Sequence, residues 1–228
     1  MTTYELTAPA TLEADIMLPS SKSISNRALI IHALSGGQQM PDNLSDCDDT
    51  RAVINALKDM PSTIDVGAAG TAMRFMTAFL SQKDGEHTIT GTERMKHRPI
   101  GTLVDALRML GATIDYVGEE GYPPLHITGH KLLGGSLEIP GDISSQFISA
   151  LLLIAPMTTN GLQLHLTDNI VSRPYIDLTI NVMHAYGADV DWTSPDTIEV
   201  KAQPYRDTSY FIENDWSAAS YWYEMAAY

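Results

Sequence analysis

The strongest constraint on this chain is that it repeats itself. Arg98-Pro99-Ile100 leads into an apolar stripe at Leu103, Val104, Leu107 and Leu110, then into Gly111-Ala112-Thr113-Ile114-Asp115-Tyr116. Arg173-Pro174-Tyr175-Ile176 leads into Ile180 and Met183, then into Gly187-Ala188-Asp189-Val190-Asp191-Trp192. Both stretches read as proline in the first helical turn, one apolar helical face, a glycine stop and an alternating strand. They are two copies of one unit, and a chain of like units buries its apolar faces by stacking copies together.

A second helix type precedes each copy, opening on small or hydroxyl residues and continuing almost wholly apolar. The openings are Ser21-Lys22-Ser23, Gly70-Thr71-Ala72 and Ser144-Ser145-Gln146, followed by apolar runs over 28–34, 75–80 and 147–155. The distance from each opening to the arginine that opens or flanks the following helix is nearly constant: 29 residues for Lys22 to Arg51, 27 for Thr71 to Arg98 and 28 for Ser145 to Arg173. Between openings the spacing is 49 and then 74 residues, so the first unit is about 25 residues short and lacks a strand pair or a helix. Strand character falls at 15–18, 63–66, 87–90, 125–128, 137–139, 163–166 and 197–200. The expected fold is α+β: three repeated βαβαββ modules around a pseudo-threefold axis, with buried helices and outer sheets. Rotation would bring equivalent helix N-termini to one end, where free N–H groups and the helix dipole favour an anion. One such opening alone is an ordinary N-cap; three with Lys22 and Arg98 nearby point to a polyanionic small molecule.

Composition limits the partners. Of 228 residues, 28 are acidic and 14 are Lys or Arg, a net charge of -14 that argues against nucleic acid as a partner. The first 108 residues hold ten of the basic groups, with Arg94, Lys96 and Arg98 clustered beside His97. Such a cluster either pairs with surface carboxylates or answers a small anion. A single cysteine, Cys47, allows no internal disulfide and no multi-thiolate metal site, which fits a cytoplasmic setting. No apolar run approaches the roughly 20 residues needed to cross a bilayer, so no membrane partner is expected. The nucleotide-kinase phosphate-loop pattern is absent around Lys22.

Four strings together carry a resemblance. They are the decapeptide from Leu18 to Arg27, Gly70-Thr71-Ala72-Met73-Arg74, Arg94-Met95-Lys96-His97-Arg98-Pro99-Ile100 and Ser144-Ser145-Gln146-Phe147. From about residue 6 onward the chain resembles the N-terminal half of the 5-enolpyruvylshikimate-3-phosphate synthase family, shikimate-pathway enolpyruvyl transferases that glyphosate inhibits. The resemblance implies transfer of the enolpyruvyl group from phosphoenolpyruvate to the 5-hydroxyl of shikimate 3-phosphate, with no metal or organic cofactor. It implies Lys22 as a catalytic residue touching both substrates. Shikimate 3-phosphate would meet Lys22, Ser23, Arg27, Ser144, Ser145, Gln146, Ser172 and Tyr175; phosphoenolpyruvate would meet Lys22, Gly70, Thr71, Arg98 and Gln146. Residues 18–207 would form the substrate-binding domain, while 1–17 and 208–228 would belong to a second domain whose greater part lies outside this sequence. That second domain, the C-terminal half of the same enzyme, would supply the acid–base carboxylates, so the chain alone would be inactive. The alternative is a binding domain for shikimate 3-phosphate without turnover.

Ala68 stands where the family usually has asparagine, which removes a polar contact near phosphoenolpyruvate. The related enolpyruvyl transferases of cell-wall synthesis use a reactive cysteine in a glycine-rich loop, whereas Cys47 sits between carboxylates that disfavour a thiolate and reads as a helix-start residue. The aromatic residues of 211–228 would normally pack in the second domain and favour self-association when uncovered.

Overall fold

The computed structural model describes residues 3–5 and 13–227. In chain order the elements are α1 (Lys22–Ser35), α2 (Asp48–Asp59), β1 (Thr63–Asp65), α3 (Gly70–Gln82), β2 (Gly85–Thr90), α4 (Glu93–Lys96), α5 (Gly101–Met109), β3 (Thr113–Tyr116), β4 (Leu125–Gly129), β5 (Gly135–Pro140), α6 (Ser145–Ile154), β6 (Leu162–Thr167), α7 (Arg173–Ala185), β7 (Val190–Ser194), β8 (Thr197–Val200) and α8 (Trp216–Ala227). A short 3-10 turn, Ala155–Met157, extends α6.

The two sheets have the same topology. One runs β1-β2-β4-β3 and the other β5-β6-β8-β7, each with one parallel pair followed by two antiparallel pairs. The parallel pairs are joined by the apolar helices α3 and α6, because a parallel connection needs a crossover. The second helix of each module stops at a glycine with positive φ, Gly111 at 104° and Gly187 at 79°, a backbone that residues with a Cβ rarely adopt. These are two complete βαβαββ modules. Pro174 lies in the first turn of α7, but α5 starts only at Gly101, so Pro99 precedes its helix rather than opening it.

The first module keeps both helices and lacks the strand pair. After α2 the chain passes from Met60, at φ 40°, directly into β1 of the next module. The strand expected over 15–18 does not form. The first module's extended pairing is reduced to single bridges, Ser20 with Asn214 and Asp42 with Phe211. A short extended segment without neighbouring strands has too little pairing to hold as a strand.

The core is made of α1, α3 and α6 packed together, with the two sheets outside them. Ala28, Leu29, Ile30 and Ile31 on α1, Met76 and Leu80 on α3, and Leu151, Leu152 and Ile154 on α6 are completely buried. Each Leu or Ile so buried contributes roughly 1.5–3 kcal/mol before the entropy of ordering it is counted. α3 and α6 are enclosed on nearly all sides, so their apolar residues are not confined to one face, and the polar side chains buried with them, such as Arg74 and Thr77, bond within the protein. In contrast α8 buries only Ala219 and leaves Trp216, Tyr221 and Tyr223 about two-thirds exposed. No described helix is long and apolar enough to cross a membrane.

Candidate active site

The starts of four helices meet at one end of the module stack. At α1 the Ser21 hydroxyl accepts from the Ile24 amide (3.3 Å), leaving Lys22 to project from the first turn. Lys22 Nζ lies 3.9 Å from Asp49 Oδ2 in the first turn of α2. The other oxygen of Asp49 accepts from the Thr71 amide of α3 (3.4 Å), and Thr71 Oγ1 accepts from Gln146 Nε2 of α6 (3.2 Å). This chain of contacts ties together Lys22, Thr71 and Gln146, which are 49 and 75 residues apart in sequence. Ser144 caps α6, its hydroxyl accepting from the Gln146 amide (3.4 Å).

The start of α3 has the character of an anion site. Its N-cap, Ala69, has no side chain that could accept from the first N–H groups, and its first turn holds no carboxylate. The loop before it is fixed by the Gly67 amide donating to Asp65 (2.8 Å) and by the Thr92 amide donating to Gly67 (3.0 Å). Gly70 is the close-approach position. A Cβ there would overlap Arg98 Nη1 and come within 2.8 Å of Arg74 Nη1. Arg74 is 5% exposed, donates to the Gly70 carbonyl (2.9 Å) and stacks on Phe147, while its Nε is buried without a partner among the described residues. Burial first, and then the like charge of Arg98, pulls the Arg74 guanidinium down to about 10. Neither Arg74 nor Arg98 has a carboxylate within 4 Å among the described residues. Two adjacent guanidinium groups repel unless a negative ligand compensates them. Beside them a cavity of about 180 Å³ is lined by Ala68, Thr92, Arg94, Met95 and Arg98.

Arg27 lies deeper. It is 3% exposed; Nε donates to Thr179 (2.7 Å), Nη1 to the Ser23 carbonyl (2.8 Å), and Nη2 to Ser149 (2.9 Å) and the Tyr175 carbonyl (3.4 Å). Burial draws it down to about 10, so it remains charged at neutral pH. Arg27 thus joins α1, α6 and α7 from inside and holds the backbone of Ser23 and Tyr175. The Tyr175 ring is exposed and lines a cavity of about 240 Å³ with Ser23, Pro174 and Leu178. Ser172 sits just before α7 in a left-handed conformation (φ 57°), and its carbonyl accepts from the Tyr175 amide (2.9 Å). The hydroxyls of Ser23, Ser145 and Ser172 have no intramolecular partner among the described residues.

Several sequence-based readings change. The regularly spaced arginines do not share a role: Arg51 pairs with Asp48, and Arg173 stacks on Trp192 while donating to the Pro195 carbonyl. Only Arg98 faces the helix starts. In the basic cluster, Lys96 pairs with Glu93 (2.7 Å), while Arg94 and Arg98 have no carboxylate partner among the described residues. Asp48 and Asp49 both lie in the first turn of α2, but Asp48 stays at the surface with Arg51 while Asp49 turns inward to Lys22 and the Thr71 amide. Cys47 does cap α2, yet its thiol is not disfavoured as an anion. Burial pushes it up, but hydrogen bonds with Ser45 and Thr50 outweigh that and the opposing charge of Asp49, holding it below the ordinary range. Arg74 and Asp49 escaped the sequence reading. A charged residue inside an otherwise apolar helix was the available signal for Arg74; nothing in sequence distinguishes Asp49 from Asp48. Among the described residues no cluster of three or more His, Cys, Asp or Glu could hold a metal.

A modular α+β fold that gathers several helix starts, one lysine and two guanidinium groups without carboxylate partners is the architecture of a small-polyanion site. The family model for EPSP synthase (3-phosphoshikimate 1-carboxyvinyltransferase) matches residues 6–65 and 60–228, and the chain belongs to that family. It is 59% identical over 224 residues to a 3-phosphoshikimate 1-carboxyvinyltransferase of Bacteroides fragilis, an alignment covering 98% of this chain and 55% of the relative. With the enzyme of that name from Sulfurovum sp. it shares 41% identity over 95% of this chain and 57% of the relative. The EPSP synthase structure from Acinetobacter baumannii superposes with a TM-score of 0.79 at 25% identity, covering 90% of this chain and 51% of that one. The chain spans about half the length of the curated relatives it matches.

Proposed function

We propose that this chain forms one wall of an active site that transfers the enolpyruvyl group of phosphoenolpyruvate to the 5-hydroxyl of shikimate 3-phosphate. The observation that carries this reading is the convergence of Lys22, Thr71, Gln146 and the Gly70–Arg98 contact at one end of the fold. In the reaction, the 5-hydroxyl gives up its proton as its oxygen bonds to C2 of phosphoenolpyruvate and a proton is added at C3. Loss of phosphate and of one methyl proton then restores the double bond. Lys22 is assigned to both substrates, where its ammonium steadies the departing phosphate. Gly70 and Thr71, at the start of α3, and Arg98 hold phosphoenolpyruvate, with Gln146 between the two substrates. Ser23, Ser144, Ser145, Ser172 and Tyr175 meet the ring and phosphate of shikimate 3-phosphate, and Arg27 lends its charge from beneath Ser23 and Tyr175.

The proton-transfer carboxylates and the opposing cations are assigned to a second domain corresponding to the remaining half of the relatives. The proposed division puts 1–17 and 208–228 with it and 18–207 in the domain described here, with Ile212 as an anchor of the return segment, buried in this domain's core and bonded to Asp42 and Asn43; 1–2, 6–12 and 228 lie outside the described residues. The bridge of Ser20 with Asn214, with the Asp215 amide donating to the Pro19 carbonyl (2.8 Å), lays the end of the return segment beside the start of the domain. The working compartment is the cytoplasm, in keeping with one unpaired thiol.

Calorimetric titration with shikimate 3-phosphate tests the assignment. Binding is expected, weakened about tenfold or more by Lys22→Ala or by Ser144→Ala with Ser145→Ala, since each removes charge-assisted hydrogen bonds of about 1.5–3 kcal/mol. Equal affinity in both variants would reject those residues. With both substrates present, phosphate release is expected only when the second half is added; turnover by this chain alone would contradict the division of the site.

A further inference from the structure

At the opposite ends of the buried helices lies a second cavity of different character. Its volume is about 480 Å³, between α1, α2 and α3, with walls formed by Leu29, Ala33, Ile54, Leu57, Met60 and Phe79. Its polar lining is His32, Lys58 and Lys83. Neither lysine has a carboxylate within 4 Å among the described residues, in a chain whose net charge is -14. An adjoining space of about 340 Å³ shares Ala33, Phe79 and Lys83 and adds Asp84 and Lys131.

The reduced first module explains why the cavity exists. In the other two modules the second helix is followed by two strands that complete a four-stranded sheet. Here α2 ends at Met60 and the chain leaves at once for β1, so the apolar faces beside Met40, Ile54 and Leu57 carry no such cover.

We propose that this cavity binds an apolar monocarboxylate, its hydrocarbon body filling the space the strand pair leaves and its carboxylate meeting Lys58 and Lys83. The volume lies within the range of small-molecule sites, and the lining, mostly apolar with three basic side chains, has the composition of one. The cationic rim selects an anion over a neutral body of the same shape and draws it in locally against the field of an acidic protein. A polyanion is disfavoured because its further charges would be desolvated against Leu57 and Phe79 without partners. The proposal is independent of the reading of the other end.

Titration of the 228-residue chain with octanoate tests it. One saturable site is expected, with Kd below about 1 mM. Lys58→Glu with Lys83→Glu, both exposed and without described ion pairs, should weaken octanoate about tenfold and leave octanol binding unchanged. Lys22→Ala and Trp222→Ser should leave octanoate affinity unaltered, the first because it lies at the other end, the second because α8 is not the site. Absence of saturable binding, an unchanged Kd in the double reversal, or loss of binding in Trp222→Ser would each overturn the proposal.

Discussion

Gly70→Ala should weaken phosphoenolpyruvate binding by about 10- to 100-fold while leaving the melting temperature unchanged or slightly raised. The added Cβ falls on Arg98 Nη1, the end of a half-buried side chain rather than backbone, and beside the enclosed Arg74 Nη1, so Arg98 moves and the helix stays. Alanine is the better helix former by about 1 kcal/mol, which offsets local crowding. Displacing Arg98 forfeits a charge-assisted contact worth about 1.5–3 kcal/mol, the stated fold-change in affinity. Calorimetry with phosphoenolpyruvate, alongside thermal melting, separates the two effects. A variant that binds as the parent does would show that the Gly70–Arg98 contact lies outside the ligand site.

Arg27→Ala should cost about 3 kcal/mol of stability. The guanidinium bonds Thr179 and Ser149 and sits 5.3 Å from the Phe75 ring centre, so truncation leaves a cavity and breaks bonds across three helices. Ser149 and Thr179 already bond one another at 2.8 Å and keep that partner, which limits the loss. For a protein of this size the expected fall in Tm is about 6–12 °C. Arg27→Met, which retains the stem against Phe75, should fall less, because replacing a buried charge by an apolar chain relieves desolvation. The pH behaviour has a definite sign. Folding lowers the Arg27 pKa from 12.5 to about 10, so the unfolded state binds the proton more tightly. Its contribution is therefore flat at neutral pH and favours the fold increasingly only above about pH 10. An alanine variant melting with the parent would remove Arg27 as the internal link.

Much of the architecture was legible before any coordinates. The βαβαββ order, the glycine stops at Gly111 and Gly187 and the enclosed helices follow from periodicity, which is local and survives in a single sequence. The count of about 25 missing residues located the defect in the first module, although only the fold shows that a strand pair is what it lacks. Pro99 and the segment 15–18 misled the reading for one reason: a proline or an alternating pattern permits an element, but tertiary neighbours decide whether one forms.

The site divides along the same line. Ser21, Lys22, Thr71 and Ser145 announce helix starts, and repetition implies that these starts meet; that much belongs to the sequence. Tertiary packing decided that Arg98 faces Gly70 while the equally spaced Arg51 and Arg173 turn away, and that Asp49 reaches inward while Asp48 stays at the surface. Packing also enclosed Arg27 and Arg74 and opened the apolar cavity beside α2. Spacing along a chain fixes which helical face a residue occupies. What that face meets, and whether a charge there is solvated, paired or left waiting for a ligand, depends on segments that approach only when the modules stack.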